Sequence, residues 1–135
     1  MFGISSGPFG LRGTIPEDVG AFKDIMIFDV QGNDVTGTLP ASMKNWKNLT
    51  HFDVSQNHLS AAGLLPELPF DNLVPGHPQG HGCFPLDHPH GGKNQFSCPW
   101  PEGAERSCAK NVASHGWNFT FITDDDCVTP PTAHK

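Results

Sequence analysis

Residues 25–59 read IMIFDVQGNDVTGTLPASMKNWKNLTHFDVSQNHL and carry one pattern twice, first from Ile25 and again from Leu49. We call the spacing from Ile25 to Leu49 the repeat offset. The apolar and asparagine positions of the first copy are Ile25, Phe28, Val30, Asn33 and Val35, and their counterparts are Leu49, Phe52, Val54, Asn57 and Leu59. Counted backward, the same offset aligns Val35, Gly37, Leu39 and Pro40 with Leu11, Gly13, Ile15 and Pro16. Self-similarity at a fixed period of roughly 20–50 residues is typical of repeat architectures, so we expect a repeat array.

Each copy combines a strand pattern with a helical-turn pattern. Phe28 and Val30 are two residues apart, which places their side chains on one face of a short strand. In a solenoid such strands stack in parallel, and Asn33 and Asn57 at the following turns are expected to form a ladder to unpaired backbone groups. The second half of each copy has apolar residues three apart, which favours a 3₁₀-like segment. This spacing predicts that Phe22 and Trp46 are core residues.

Three stretches carry a family resemblance: LRGTIPEDVGAF, VTGTLPASMKNW and NLTHFDVSQNHLS. They resemble leucine-rich repeats of the plant-like subclass, which also occur in surface antigens of protozoan parasites of the trypanosomatid type. The resemblance covers about residues 1–75. It implies an α/β-type solenoid of about three coils (1–24, 25–48 and 49–74), with parallel strands on the concave side and 3₁₀ or irregular structure on the convex side. No further strand is readable after Pro75, so the array is predicted to end there.

All four cysteines lie after the repeats, at Cys83, Cys98, Cys108 and Cys127. An even number confined to the end of an array predicts a disulfide-stapled cap, over residues 76–127, that covers the last coil. Four cysteines allow three pairings, and the sequence does not choose among them. The stretch NQFSCPWPEGAERSC resembles the caps of repeat arrays in parasite surface proteins. Reduced cysteines in a cytosolic protein are the alternative interpretation.

Composition and local motifs favour an extracellular or cell-surface protein. The formal net charge of −6 argues against nucleic-acid binding, which depends on clustered Lys and Arg. No run of about 18 apolar residues is present, so no transmembrane segment is expected. Asn48 and Asn118 begin N-glycosylation sequons. The start MFGISSGPFG lacks signal-peptide features and residues 128–135 resemble a Thr/Pro-rich stalk, so we expect a fragment that lacks its own signal peptide.

The sequence offers two candidate metal sites, neither of which follows a known ligand pattern. The run HPQGHGCFPLDHPH supplies imidazole, thiolate and carboxylate, which are zinc ligands. Its candidates are His77, His81, Cys83, Asp87, His88 and His90. The acidic run 124–126 lacks the interleaved ligands and the glycine of an EF-hand. Solvated loops are the favoured interpretation of both, and no metal or other cofactor is expected.

Catalytic motifs are absent from the sequence. It contains no Gly-x-Ser-x-Gly elbow, no phosphate-binding Gly-rich loop and no His-Glu-x-x-His pair. Asp29 and Asp53 occupy equivalent strand positions and would lie about 4.8 Å apart across adjacent strands, where one pKa would rise as in an acid pair. The repeat relation favours a structural origin for this pair, because Asp at this position is common in plant-like repeats. We therefore expect a protein that is not an enzyme.

Recognition of a protein or glycoprotein partner is the expected function. The outward strand positions, with Met26 and Gln56 at the margins, are the predicted contact residues. The central ones are Ile27, Asp29, Gln31, His51, Asp53 and Ser55. Three coils present a small face compared with the roughly 800 Å² per partner of an ordinary interface. The alternative is a truncated receptor-like or structural fragment with no binding activity of its own.

Overall fold

The computed structural model describes residues 3–5, 10–73, 82–86, 94–111 and 119–129. Within these residues, most strands are parallel and belong to two sheets, with short helical turns between them, so the architecture is broadly α/β. In chain order the strands are β1 (Gly3–Ser5), β2 (Arg12–Gly13), β3 (Ile27–Asp29), β4 (Asp34–Gly37), β5 (His51–Asp53), β6 (His58–Leu59), β7 (Cys83–Phe84), β8 (Ala109–Asn111) and β9 (Phe119–Phe121). The 3₁₀ turns are Glu17–Ala21, Ala41–Asn45, Phe70–Asn72 and Asp124–Asp126, and the one α-helical turn described is α1 (Ala104–Ser107).

The first sheet has the strand order β1-β3-β5-β7, and every neighbouring pair is parallel. Its register between β3 and β5 equals the repeat offset, because Phe28 pairs with Phe52 and Asp29 pairs with Asp53. The rings of Phe28 and Phe52 stack with their centroids 5.9 Å apart, and both are buried. Equivalent residues of the two copies are therefore neighbours in space.

The second sheet, with the order β2-β4-β6, has a different register. Gly13 pairs with Val35 and Thr36 pairs with His58, so each partner comes two positions earlier than the repeat offset predicts. A stagger of two leaves every side chain on its own face, because side chains alternate with a period of two. The repeat offset and the pairing in this sheet consequently differ without disturbing the core.

Buried asparagines that follow the first-sheet strands along the chain form hydrogen bonds to the backbone of other segments. Asn33 Oδ1 accepts the Leu11 amide and Asn57 Oδ1 accepts the Val35 amide, each at 2.9 Å. Asn94 continues the series by accepting the Leu59 amide, also at 2.9 Å, and by donating to the Val54 carbonyl at 2.6 Å. Asn94 lies further along the chain than one repeat offset after Asn57, so the period does not point to it. The Asn-x-Phe that opens NQFSCPW was the available signal.

The 3₁₀ turns Glu17–Ala21 and Ala41–Asn45 pack against each other. Trp46 Nε1 donates to the Val19 carbonyl at 3.2 Å, and Ser42 Oγ donates to the Glu17 carbonyl at 2.7 Å. A Cβ atom at Gly20 would lie 2.3 Å from the Ser42 Cβ, so only glycine permits this approach. The indole of Trp46 is fully buried, as its spacing predicts.

Phe22, the counterpart of Trp46, corrects one prediction. Its side chain is 45% exposed, although the repeat pattern places it in the core. It borders an open apolar cavity of about 320 Å³ whose lining includes Ile4, Leu11 and Val19. Trp46 is buried because the preceding turn lies against it, whereas among the described residues no earlier turn covers Phe22. Equivalent sequence positions therefore differ in burial according to their neighbours.

The region after residue 75 corrects a second prediction, since β7 adds a strand where the pattern shows none. Cys83 pairs with Phe52 and takes the inward position, fully buried. The pattern misses β7 because the interval from Phe52 to Cys83 is longer than one repeat offset and because cysteine replaces the large apolar residue. Apolar residues from this region belong to the same hydrophobic core as Phe28 and Phe52, among them Phe96, Trp100, Ala104 and Ile122. The antiparallel pair β8-β9 follows, and Lys110 of β8 forms an ion pair with Asp126.

Candidate binding surface and its Asp–His–Asp cluster

The first sheet buries one side and presents the other outward. Phe28 of β3 and Phe52 of β5 point into the core, so the residues before and after them face the opposite side. We call this side, formed by the outward residues of β3, β5, β7 and the neighbouring β9, the outer face. Ile27 lies beside His51 and Asp29 beside Asp53 in the strand register. The outer face therefore contains two carboxylates and an imidazole on adjacent strands.

Asp29 is the carboxylate with the larger set of donors. His51 Nε2 lies 3.3 Å from Asp29 Oδ2, and the backbone N–H of Gln31 donates to Asp29 Oδ1 at 3.2 Å. Gln31 Nε2 also donates to Oδ2, at 3.4 Å. Burial acts to raise the pKa of Asp29, but the hydrogen bonds from His51 and Gln31 and the charge of His51 hold this pKa below its ordinary value. Asp29 is therefore held as an anion.

Asp53, the second carboxylate, lies deeper in the structure. It is only 7% exposed, and both the amide and the hydroxyl of Ser55 donate to its Oδ1, at 3.0 and 2.6 Å. Burial raises the pKa of Asp53 to about 6, and the neighbouring Asp29 carboxylate adds to the increase. The hydrogen bonds from Ser55 and the charge of His51 oppose this increase without cancelling it. The two stacked carboxylates thus have pKa values shifted in opposite directions.

The six predicted contact residues differ in how much they offer to a partner. Ile27 is 38% exposed, and Gln31, His51 and Ser55 are half-buried, as is Asp29. Asp53 is buried and accepts hydrogen bonds from Ser55, so it offers little surface to a partner. At the margins, Met26 is 42% exposed and Gln56 is exposed with a left-handed backbone, φ 58°.

Aromatic residues that the repeat pattern does not identify extend the outer face. Phe84 of β7 pairs in register with Asp53, and its ring centroid lies 6.2 Å from that of His51. Phe119 of β9 follows, with its ring centroid 5.2 Å from that of Phe84, and is 41% exposed. Phe121, two residues along the same strand, is 49% exposed. Phe84 has no repeat partner in the sequence, and Phe119 was identifiable only as the middle residue of the second sequon.

Among the described residues, Asp29, His51 and Asp53 form the one group of three potential metal ligands. One ligand atom from each residue lies within 4.8 Å of the others. His77, His81, Asp87, His88 and His90 of the histidine-rich run lie outside the described residues. Cys83 from that run is bonded to Cys108 and is no thiolate ligand. In the acidic run, Asp126 caps its own 3₁₀ turn by accepting the Thr123 amide at 2.8 Å.

The four cysteines form two disulfides, Cys83–Cys108 and Cys98–Cys127. The first joins β7 to the residue that precedes β8, and the second joins two segments near Trp100. The pairing that the sequence left open is thus one in which the two bridges interleave along the chain. Of the two sequon asparagines, Asn48 is exposed after the turn Ala41–Asn45, and Asn118 lies outside the described residues.

Two further observations bear on the class of protein. In the part of the chain that the structure describes, no helix has the length and apolar character needed to cross a membrane. No protein-family model matches the chain, and a search of curated proteins finds no significant match.

Proposed function

We propose that this chain is a non-enzymatic interaction module of a secreted or cell-surface protein, and that it binds a protein or glycoprotein through the outer face. The carrying observation is a continuous row of side chains across β3, β5, β7 and β9, formed by Ile27, His51, Phe84 and Phe119. Aromatic residues flanked by polar groups are typical of interface centres. The partly accessible Asp29 carboxylate beside the row is held as an anion and favours a partner with complementary positive charge.

The proposal includes membership of the leucine-rich repeat class with a solenoid architecture. Parallel strands paired at the repeat offset, the stacked Phe28 and Phe52 rings, and the rungs formed by Asn33, Asn57 and Asn94 support it. In this class the strands line the concave side, so the outer face is the proposed concave surface. Each rung satisfies backbone groups of an adjacent layer, which an isolated layer leaves unpaired.

An oxidising compartment is part of the same proposal. The two disulfides favour it, because cytosolic reductants keep most thiols reduced. The exposed Asn48 sequon is compatible with glycan attachment in the secretory route. Secretion of the chain behind a heterologous signal peptide, followed by enzymatic glycan removal and mass measurement, tests the location and the occupancy of Asn48 together.

A binding screen tests the function. The oxidised chain, made dimeric by fusion to an antibody Fc segment, is applied to an array of extracellular proteins and glycoproteins. Ile27→Asp and Phe119→Ser are expected to weaken any specific binding tenfold or more. Leu64→Asp is the matched control, because Leu64 is 52% exposed but lies after β6, outside the first sheet.

The outcomes separate two candidate functions. Binding that survives Ile27→Asp and Phe119→Ser, or that Leu64→Asp weakens equally, would overturn the assignment of the outer face. No binding to any member of the array would favour the alternative, a receptor-like or structural fragment without its own partner. Repeating the positive reactions with deglycosylated partners tells a protein epitope from a glycan.

A further inference from the structure

We propose that Asp29, His51 and Asp53 bind one divalent transition-metal ion, with Zn²⁺ the best match to the ligand set. Imidazole nitrogen and carboxylate oxygen are both zinc ligands, and three protein ligands with one open position is a common zinc arrangement. This inference goes beyond the proposed partner binding and does not depend on it.

Geometry carries the inference. Zinc bonds of about 2.0–2.1 Å in a tetrahedron place neighbouring ligand atoms roughly 3.3 Å apart. His51 Nε2 and Asp29 Oδ2 are 3.3 Å apart, which matches one edge of such a tetrahedron. No separation in the group of three exceeds 4.8 Å, so a side-chain movement of about 1.5 Å would complete the three-ligand face.

The backbone holds these three residues together. Asp29 and Asp53 are directly paired in the register of β3 and β5, and His51 is two residues before Asp53 on the same side of its strand. Sites on regular strands are positioned more accurately than sites on loops. The ligand positions are therefore set by the sheet, and only side-chain rotations remain.

Neighbouring groups orient the two carboxylates as outer-sphere partners orient metal ligands in known sites. The Gln31 backbone N–H donates to Asp29 Oδ1, whereas Asp29 Oδ2 lies 3.3 Å from His51 Nε2 and accepts a longer bond of 3.4 Å from Gln31 Nε2. The amide and hydroxyl of Ser55 both bind Asp53 Oδ1, so coordination through Oδ2 would keep these bonds. Metal coordination through Oδ2 of each carboxylate would thus keep the bonds to both Oδ1 atoms and displace only the contacts of Asp29 Oδ2 with Gln31 Nε2 and His51 Nε2.

Electrostatics favours a cation at this position. Two carboxylates share the site, and Asp53 is only 7% exposed, so hydration of their combined negative charge is incomplete and costs free energy. A divalent ion neutralises both negative charges and offsets this cost. Zinc fits better than calcium or magnesium, because those ions prefer six or more oxygen ligands and the cluster supplies a nitrogen and few oxygens.

The chain contains a matched control pair. His58 Nε2 and Asp34 Oδ1 are also 3.3 Å apart, but both side chains are about half exposed and belong to no group of three ligands among the described residues. If an isolated His–Asp pair were sufficient, His58 would bind zinc as well as His51. The proposal assigns the affinity to the second carboxylate and to burial.

Isothermal titration with Zn²⁺ tests the site in the full oxidised chain after chelator treatment. Because the histidine-rich run also offers imidazoles, the variants are built on a background in which His77, His81, His88 and His90 are replaced by serine. We expect one Zn²⁺ per chain, an affinity at least tenfold weaker in His51→Ala and in Asp29→Asn, and no change in His58→Ala. Circular dichroism and free-thiol assays confirm that each variant is folded and oxidised.

A second measurement covers variants that fail to fold. Asp53→Asn keeps the shape of the side chain but removes a ligand charge, so it is expected to weaken zinc binding. Independently, Co²⁺ bound to the unsubstituted site is expected to show the visible absorption of four-coordinate cobalt. Absence of zinc binding in the serine background, or equal affinity in His51→Ala and His58→Ala, would overturn the proposal. Partner binding that persists in chelator while zinc binding fails would overturn this inference alone.

Discussion

Asn57 Nδ2 donates a hydrogen bond of 2.9 Å to the carbonyl of Val30, which lies 27 residues earlier in the chain, and both residues are buried. The same side chain accepts the Val35 amide through Oδ1, also at 2.9 Å. One side-chain amide thus satisfies the carbonyl of Val30 and the N–H of Val35, both of which belong to the preceding copy of the sequence pattern.

Replacing Asn57 by alanine is expected to destabilise the protein by about 3 kcal/mol, because the change leaves the Val35 N–H and one bond of the Val30 carbonyl unsatisfied. A buried unpaired group costs roughly 1–3 kcal/mol. Urea unfolding, monitored by circular dichroism, measures the effect. Asn45→Ala is the control, because Asn45 is exposed. Equal midpoints for the two variants would contradict the structural role of Asn57.

Trp46 and Phe22 occupy the same position in consecutive copies, so alanine at each provides a direct comparison. Trp46→Ala is expected to cost about 3–5 kcal/mol, since the indole is fully buried and bonded to Val19. Phe22→Ala is expected to cost less than about 1 kcal/mol, because Phe22 is 45% exposed. Thermal unfolding of both variants in one buffer gives the comparison. A larger loss for Phe22→Ala would show that its surroundings are closed.

Burial of Asp53 is expected to make the stability of the fold depend on pH, and Asp53→Asn, which keeps the shape of the side chain, is expected to remove this dependence. Its pKa is about 6 in the folded chain and near 3.8 in the unfolded chain, so the folded state holds the proton more tightly. Its stabilising contribution is full below about pH 4 and is lost as the pH rises through about 6. As the pH rises from about 4 to above 6, the free energy of unfolding of Asp53→Asn is therefore expected to increase relative to that of the wild type by up to about 3 kcal/mol.

Unfolding by urea at a series of pH values, in buffers that contain chelator, measures this difference. The exposed Asp18, replaced by asparagine, shows whether any loss of a carboxylate has the same effect. The lowered pKa of Asp29 acts with the opposite sign, stabilising the fold above about pH 4 and losing that contribution as the pH falls. A constant difference between Asp53→Asn and the wild type would contradict the burial of this carboxylate.

Oxidised protein is expected to contain two disulfides, joining Cys83 to Cys108 and Cys98 to Cys127. Peptide mapping under non-reducing conditions identifies the pairs, and four free thiols would contradict the extracellular assignment. The bridges close loops with sequence separations of 25 and 29 residues. Replacing Cys98 and Cys127 by serine is expected to cost roughly 3–4 kcal/mol, as loops of this size predict.

The parts of the structure that could be predicted from the sequence are those where local pattern and packing agree. Phe28 and Phe52 lie stacked because the period, the strand alternation and the burial all require the same register. Phe22 shows the limit, since its pattern is correct but its burial depends on a layer that must cover it. A repeat pattern predicts a position, whereas burial is decided by neighbours.

The candidate site was predictable only in part, because the repeat pattern predicts which residues are adjacent but not how deeply they are buried. The proximity of Asp29 and Asp53 follows from the repeat offset, but the burial of Asp53 under its neighbours does not. The period could not place Phe84 or Asn94, because the interval from Phe52 to its partner Cys83 is longer than one repeat offset. The inward residue of β7 is also a cysteine, whereas the pattern expects a large apolar residue there. Long-range pairing through a disulfide has no local sequence signature.

The interleaved order of the two disulfides has a consequence for proteolysis. Cys98 lies inside the span from Cys83 to Cys108, and Cys108 lies inside the span from Cys98 to Cys127. A single backbone cleavage anywhere between Cys83 and Cys127 therefore always falls inside at least one bridged loop. The two fragments stay covalently joined, so a protease that nicks this half of the chain once changes its mass by one water molecule and releases nothing.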